Sequence, residues 1–309
     1  MSIERFHIAH SIDEALDLLA KEGSGAQILA GGTDLLVALR AGALDAGKTA
    51  FIDISRIPEL SRLTLNGPDG QCQLGPCVTH HRIAEDAGLG RASIILGQAS
   101  HSVGSPQIRR RGTIGGNILT AAQCADTIPV LLALDAQLLL RDTKGTDRTM
   151  AIKDFFPAPK KTAIKADELL LGISFASLAG KPWKGSYYKL IRRAAVAKSR
   201  LNFAVLIKTD LQGKVDEARI SIGSTLPTPG RFTPAEELLK GNKPSIELAQ
   251  AAADACSAYM IQVAGRRWSA EYKEPVVRNL ARRGILKVFG LEQAPEESLE
   301  QHPEAQHGA

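Results

Sequence analysis

Apolar spacing along the 309-residue chain alternates between helical runs and short strand-like runs. Ser11-Ile12-Asp13-Glu14 is a capping box, in which the serine hydroxyl and the glutamate carboxylate can satisfy reciprocal free N–H groups. Ile12, Ala15, Leu16 and Leu19 then follow helical spacing, and Gly23 closes the helix. Residues 26–30 predict a buried strand that ends in Gly31-Gly32-Thr33-Asp34, after which Leu35, Leu36 and Leu39 resume a helical period. Strands are predicted at 49–54, 63–65 and 72–74, the last two joined by the loop-like Asn66-Gly67-Pro68-Asp69-Gly70. A helix is expected over 82–87, and Ala92, Ile95, Ala99 and Val103 fall on one face of another. A helix at 129–134 and strands at 137–140 and 169–175 follow. Residues 181–185 are loop-like and mark the preferred domain boundary. Beyond them lie strands at 186–191, 203–209 and 218–222, then helices at 234–239, 246–263 and 275–289. The polar residues after 291 are expected to be disordered.

Two glycine turns stand out. Residues 105–126 contain Thr113-Ile114-Gly115-Gly116-Asn117, where the glycines let the backbone approach a ligand while a hydroxyl and an amide flank them. The other is Gly31-Gly32-Thr33-Asp34, placed between a strand and a helix, the arrangement that aims backbone N–H groups at a phosphate. Neither is the G-x-G-x-x-G dinucleotide fingerprint, so an ordinary Rossmann fold has little support. A pair of such loops outweighs the reading of either as a simple turn.

Composition narrows the function classes. Aromatic residues are only 5% of the chain, too few for an obvious stacking platform for single-stranded nucleic acid. The net charge of +5 is carried by scattered basic pairs and one triplet, Arg109-Arg110-Arg111, a pattern of solvated faces. Cys72, Cys77, Cys124 and Cys256 lack C-x-x-C spacing and nearby paired histidines, so neither a zinc site nor a complete iron–sulfur site is legible. Free thiols fit a reducing, cytoplasmic setting. His80 and His81 invite a metal, but adjacent helical residues do not face one another, which favours solvated or capping roles. No apolar signal region or membrane-length run is present, so a soluble protein is expected.

Ala30-Gly31-Gly32-Thr33-Asp34-Leu35 and Arg111-Gly112-Thr113-Ile114-Gly115-Gly116-Asn117-Ile118, in this order, resemble the FAD-binding medium subunit of the molybdenum hydroxylases. Phe51-Ile52-Asp53-Ile54-Ser55 and Tyr188-Lys189-Leu190-Ile191-Arg192-Arg193 strengthen the likeness, which spans nearly the whole chain. The family includes xanthine and carbon monoxide dehydrogenases. The resemblance implies an α+β architecture: a two-subdomain FAD-binding fold of the vanillyl-alcohol-oxidase kind (1–56 and 57–178), then a C-terminal domain of a small antiparallel sheet with a helical bundle (184–290), and a tail (291–309). It implies non-covalent FAD with its phosphates against both loops, at Ile28, Leu29, Ala30, Gly31, Gly32, Thr33, Asp34 and Leu35, and at Thr113, Ile114, Gly115, Gly116 and Asn117. Asp126 corresponds to an acidic residue on the polar FAD chain, Val103 to a position close to the cofactor, Leu170 to an apolar position against the flavin ring, and Lys189 to a basic position near its pyrimidine side. Judged on position alone, Leu170 and Val103 also read as core residues, Lys189 as a surface charge on an edge strand, and Asp34 and Asp126 as helix caps. Ala122-Gln123-Cys124-Ala125 replaces the Ser-Pro common before the second acidic residue.

The resemblance further implies a molybdenum cofactor on a large partner subunit and two [2Fe-2S] clusters on a small one. Electrons would pass through FAD to NAD+ or another acceptor, in a dimer of heterotrimers. The four-cysteine insertion of some relatives is absent, so no extra cluster is expected here, and no histidine or cysteine in the first loop supports covalent flavin. No general acid, base or nucleophile is proposed. Segment 192–202 is a candidate gate beside the flavin. Two rival readings are a stand-alone FAD-dependent oxidoreductase and a basic nucleic-acid or nucleotide-binding module acting through Arg109, Arg110 and Arg111.

Overall fold

The computed structural model of the chain describes residues 5–45, 49–191 and 198–292. Of the expected gate, residues 192–197 lie outside this set, as does the tail from 293. The smallest sheet is parallel, with β1 (Arg5–Ile8), β2 (Ala26–Leu29) and β3 (Ala50–Asp53) in the order β1-β3-β2. Parallel neighbours need crossovers. Here α1 (Ile12–Glu22) follows β1, and α2 (Leu35–Arg40) follows β2. At the start of α1 the Glu14 amide donates to Ser11 Oγ at 3.1 Å. The Glu14 carboxylate accepts from the His10 amide at 2.7 Å, so the reciprocal bond falls one residue before the cap rather than on it. Ala15, Leu16 and Leu19 are buried beside Ile52 and Ile54 of the sheet.

The second sheet is antiparallel. Its strands are β4 (Leu63–Thr64), β5 (Gln71–Leu74), β6 (Gln137–Asp142), β7 (Asp147–Ala151) and β8 (Glu168–Ala176), ordered β4-β5-β8-β6-β7. Between β5 and β6 come α3 (His80–Glu85), α4 (Ala87–Ser93), α5 (Leu96–His101), α6 (Pro106–Arg111), α7 (Ile114–Thr120) and α8 (Ile128–Ala133). The single helical face expected from Ala92 to Val103 is therefore divided between α4 and α5. Ile94 breaks it, with φ of 62° at the α4 C-cap. Ala92, Ile95 and Ala99 still enter one core, while Val103 lies beyond α5.

The third sheet, β11-β10-β9, is antiparallel and comprises β9 (Trp183–Leu190), β10 (Leu201–Thr209) and β11 (Val215–Gly223). β9 begins inside the stretch expected to be a loop. Trp183 is held there by Arg219, whose guanidinium lies 4.7 Å from the ring centroid. β10 is apolar along most of its length because both its faces are covered. Leu201, Phe203, Val205 and Ile207 face a core shared with α9 (Thr233–Leu239), α10 (Ile246–Ala264) and α11 (Ala270–Phe289). Ala204 and Leu206, one residue out of phase, join the core that contains α8 and the second sheet. α11 starts before the expected Pro275. That proline sits early in the helix, where its missing N–H removes a single bond.

Phe203 packs closely against α11. A Cβ on Gly284 of α11 would stand 2.2 Å from its Cε1, so ring and helix backbone are in direct contact. Phe203→Ala is predicted to destabilise the chain by about 3–5 kcal/mol, read as a lowered denaturant midpoint in equilibrium unfolding of the full chain.

Candidate cofactor-binding site

One cavity of about 370 Å³ collects most of the residues singled out in the sequence. Ile28, Leu29, Ala30, Gly31, Gly32, Thr33, Asp34 and Leu35 line it from the end of β2 into α2. Thr113, Gly115, Gly116 and Asn117 line it from α7 and its cap, joined by Val103 and Leu170. Three residues stand outside the lining. Ile114 is fully buried in the core, and Asp126 and Lys189 are bonded to each other at 2.8 Å.

The two loops touch backbone to backbone. A Cβ on Gly31 would lie 2.1 Å from the Arg111 carbonyl oxygen, so no side chain is tolerated there. Gly115 meets Pro76 as closely, at 2.4 Å from the Pro76 Cβ. Their hydrogen bonding separates the loops. In the second, the amides of Ile114, Gly115 and Asn117 donate to Val78 O, Pro76 O and Thr113 O at 3.0, 2.9 and 3.0 Å, while that of Gly116 donates to Thr113 Oγ1 at 3.1 Å. In the first loop, the amides of residues 31–35 meet no acceptor among the described residues. A run of unpartnered N–H groups against a cavity is an anion-binding concavity. The backbone approach expected of both loops is seen in both, whereas a run of free donors occurs only in the first; in the second the Thr113 amide alone meets no acceptor among the described residues. The Asp34 side chain makes no capping bond to α2, so its expected capping role is not taken up.

Asp126 does not cap α8 either; its carboxylate is saturated by donors from β9, from β10 and from the segment just before β10. It accepts from Lys189 Nζ, from Tyr187 Oη at 3.1 Å, from Ser199 Oγ and from Asn202 Nδ2 at 3.3 Å. Lys189 also donates to Ser102 O at 2.7 Å, one residue from the cavity-lining Val103. Although β9 is an edge strand, this lysine side chain is only 10% exposed and is not the surface charge that position alone allowed. Burial and the Asp126 charge push the Tyr187 hydroxyl well above its ordinary pKa, keeping it a donor.

Two lining residues were not legible as such. Glu168 is buried at the cavity wall and neutralised by Arg148, with bonds of 2.6 and 2.7 Å that hold its carboxyl below the usual range. His80 opens α3 with its amide on Gly112 O at 3.0 Å and is 2% exposed. Burial, then the nearby Arg109 charge, lower its pKa to about 4. The sequence places this helix at 82–87 and favours a solvated or capping role for His80; the helix instead opens at His80, and the arrival of the second loop buries the ring.

These features define a class: an α+β protein with a nucleotide-sized cavity between two glycine loops. The family model described as the FAD binding domain in molybdopterin dehydrogenase matches residues 2–176, and that of the CO dehydrogenase flavoprotein C-terminal domain matches residues 186–288. The chain belongs to the FAD-binding medium-subunit family of the molybdenum hydroxylases, which are oxidoreductases. It is 30% identical to the nicotine 6-hydroxylase medium subunit of Paenarthrobacter nicotinovorans, over 92% of this chain and 96% of that one. It is 28% identical to the xanthine dehydrogenase FAD-binding subunit of Escherichia coli O157:H7, over 91% and 94%. A solved structure of carbon monoxide dehydrogenase from Hydrogenophaga pseudoflava superposes with a TM-score of 0.85 at 27% identity, covering 95% of this chain and all of the other. No helix among the described residues is long and apolar enough to cross a membrane, and no group of side chains there could hold a metal ion.

Two predictions follow from this geometry. Replacing Asp126 with Asn strands a buried ammonium and is expected to cost about 3 kcal/mol in urea unfolding, with Lys189→Met in the same chain recovering most of the loss. For His80 the folded pKa lies below the unfolded 6.5, so between pH 6.5 and 4 the unfolded chain binds a proton that the folded chain does not. Native stability therefore falls as pH drops through that window, by up to about 1.4 kcal/mol per pH unit. His80→Phe is expected to flatten this part of the stability–pH curve.

Proposed function

We propose that the cavity between the glycine loops holds FAD non-covalently and that the chain serves as the electron-transfer subunit of a multi-subunit molybdenum hydroxylase. The observation that carries the reading is the run of unpartnered amides from Gly31 to Leu35, set in a cavity whose opposite wall is a second glycine loop. The donor set suits a pyrophosphate, because each amide is a fixed dipole that needs no counter-charge. Thr113 Oγ accepts from Gly116 and retains its proton to donate. Leu170 and Val103 supply the apolar wall for the ring system. Asp126 and Lys189 position that wall, since the lysine holds the Ser102 carbonyl beside Val103.

FAD in this place supplies a carrier that accepts electrons singly and releases them in pairs. The partners in this proposal are a large molybdopterin-binding subunit and a small [2Fe-2S] subunit in a dimer of heterotrimers, with NAD+ or another acceptor at the exit. The proposed division of the chain is residues 1–56 and 57–178 around the cofactor and 184–290 as the C-terminal domain.

The full chain, purified, is expected to carry a flavin absorption spectrum released intact into solution by denaturant. Gly31→Val is expected to lose the flavin while retaining far-UV circular dichroism and cooperative unfolding. A wild-type protein that stays colourless after incubation with FAD overturns the reading.

A further inference from the structure

The imidazole of His80 sits at the seam of the two loops, and no described residue uses its polar atoms. A Cβ on Gly112 would lie 3.4 Å from both His80 Cδ2 and Thr33 Oγ1, so the ring, the first loop and the second loop converge on one spot of the cavity wall. His80 Nδ1 is enclosed and has no hydrogen-bond partner among the described residues. Nε2 also makes no bond to any described residue, yet it is not among the enclosed unpartnered atoms, which leaves it as the polar atom the ring offers to the cavity. The tautomer follows from these two environments. An enclosed N–H without an acceptor is costlier than an enclosed lone pair, so the ring proton belongs on Nε2. Burial keeps the ring neutral near pH 7, so it carries one proton only.

We propose that His80 is a ligand-binding residue whose Nε2–H donates to an anionic phosphate oxygen of the bound dinucleotide at the junction of the two glycine loops. This rests on the FAD reading above. It adds a ring N–H to a site whose other donors are backbone amides and the hydroxyls and side-chain amides of residues such as Thr33, Thr113 and Asn117. Arg109, the charge nearest His80, sits on α6 and spends its guanidinium on Val103 O at 3.1 Å, so it adds field at the seam without lining the cavity.

The test compares wild type, His80→Phe and His80→Gln in the full chain freed of flavin, with ADP and FAD as titrants. His80→Phe keeps the volume and removes the donor; His80→Gln places an amide N–H near the position of Nε2. A hydrogen bond to a charged acceptor contributes about 1.5–3 kcal/mol, so His80→Phe is expected to weaken both ADP and FAD by about tenfold or more. His80→Gln is expected to stay within a few-fold of wild type. The flavin-free Phe variant is expected to melt at or above the wild-type temperature, because the substitution removes an orphaned buried nitrogen. Unchanged ADP and FAD affinity in His80→Phe overturns the proposal, as does a loss that His80→Gln shares in full. Failure of wild type to bind FAD is a separate outcome that sinks the functional reading instead.

Discussion

The backbone of Gly31 rests against the carbonyl of Arg111, and the cavity has its shape because no side chain stands between them. The contact joins the end of a strand in the parallel sheet to the α6–α7 turn, two segments far apart in sequence. Once joined, the loops divide the work. The α7 loop consumes the amides of residues 114–117 on Pro76, Val78 and Thr113, which makes it a fixed platform. The β2–α2 loop leaves its amides open, which makes it the receptor. A platform without a receptor would hold nothing, and a receptor without a platform would be a mobile turn whose donors turn to water.

The third sheet is bound into this arrangement through β10. With both faces apolar, the strand belongs to two cores at once, and removing either covering layer would expose half its side chains. At its N-terminal end the alternation admits one polar residue, Asn202, on the face toward the cavity side. Its amide donates to Ala125 O and to Asp126. Around that point a buried ion pair and three neutral donors saturate one carboxylate. Such a pair contributes little net stability over an apolar substitute, because desolvation offsets most of the attraction. Its value lies in direction, since only one register of β9 brings Lys189 within reach of both Asp126 and Ser102 O.

Much of the fold was legible in the chain because apolar spacing is local information. The capped α1, the β2 strand and its glycine turn, the strands of the third sheet and the helices after it all carry their own period. The short edge elements were harder. β1 has only Arg5, Phe6, His7 and Ile8, and β7 is mostly polar, so neither announces itself without its partner strand. At Ile94 a positive φ splits what spacing alone reads as one helix. At the site, both glycine loops were readable, but the state of their amides was not, because hydrogen-bond partners such as Pro76 and Val78 arrive from elsewhere in the chain. Asp126 and Lys189 were recognisable as a pair of positions and unrecognisable as a bonded pair. His80 was hidden by the same cause, since the second loop brings the burial that changes its chemistry.

The charge around the cavity bears on how an anion is held there. Among the described residues no lysine or arginine lines the cavity; the charged side chains that do are Asp34 and Glu168, and the latter is neutralised by Arg148. The Arg109-Arg110-Arg111 triplet, the most conspicuous basic feature of the sequence, ends α6 outside the lining. Among the described residues, attraction for a pyrophosphate in this place therefore comes from short-range dipoles: the open amides of the first loop, lining side chains such as the Thr33 and Thr113 hydroxyls, and the His80 ring. Dipoles of this kind need no buried counter-ion and so avoid the desolvation of a lysine or arginine side chain. They also act over a shorter range than a full charge and depend steeply on geometry. That dependence is why the packing of Gly31 on Arg111, rather than the net charge of +5, sets whether the site exists.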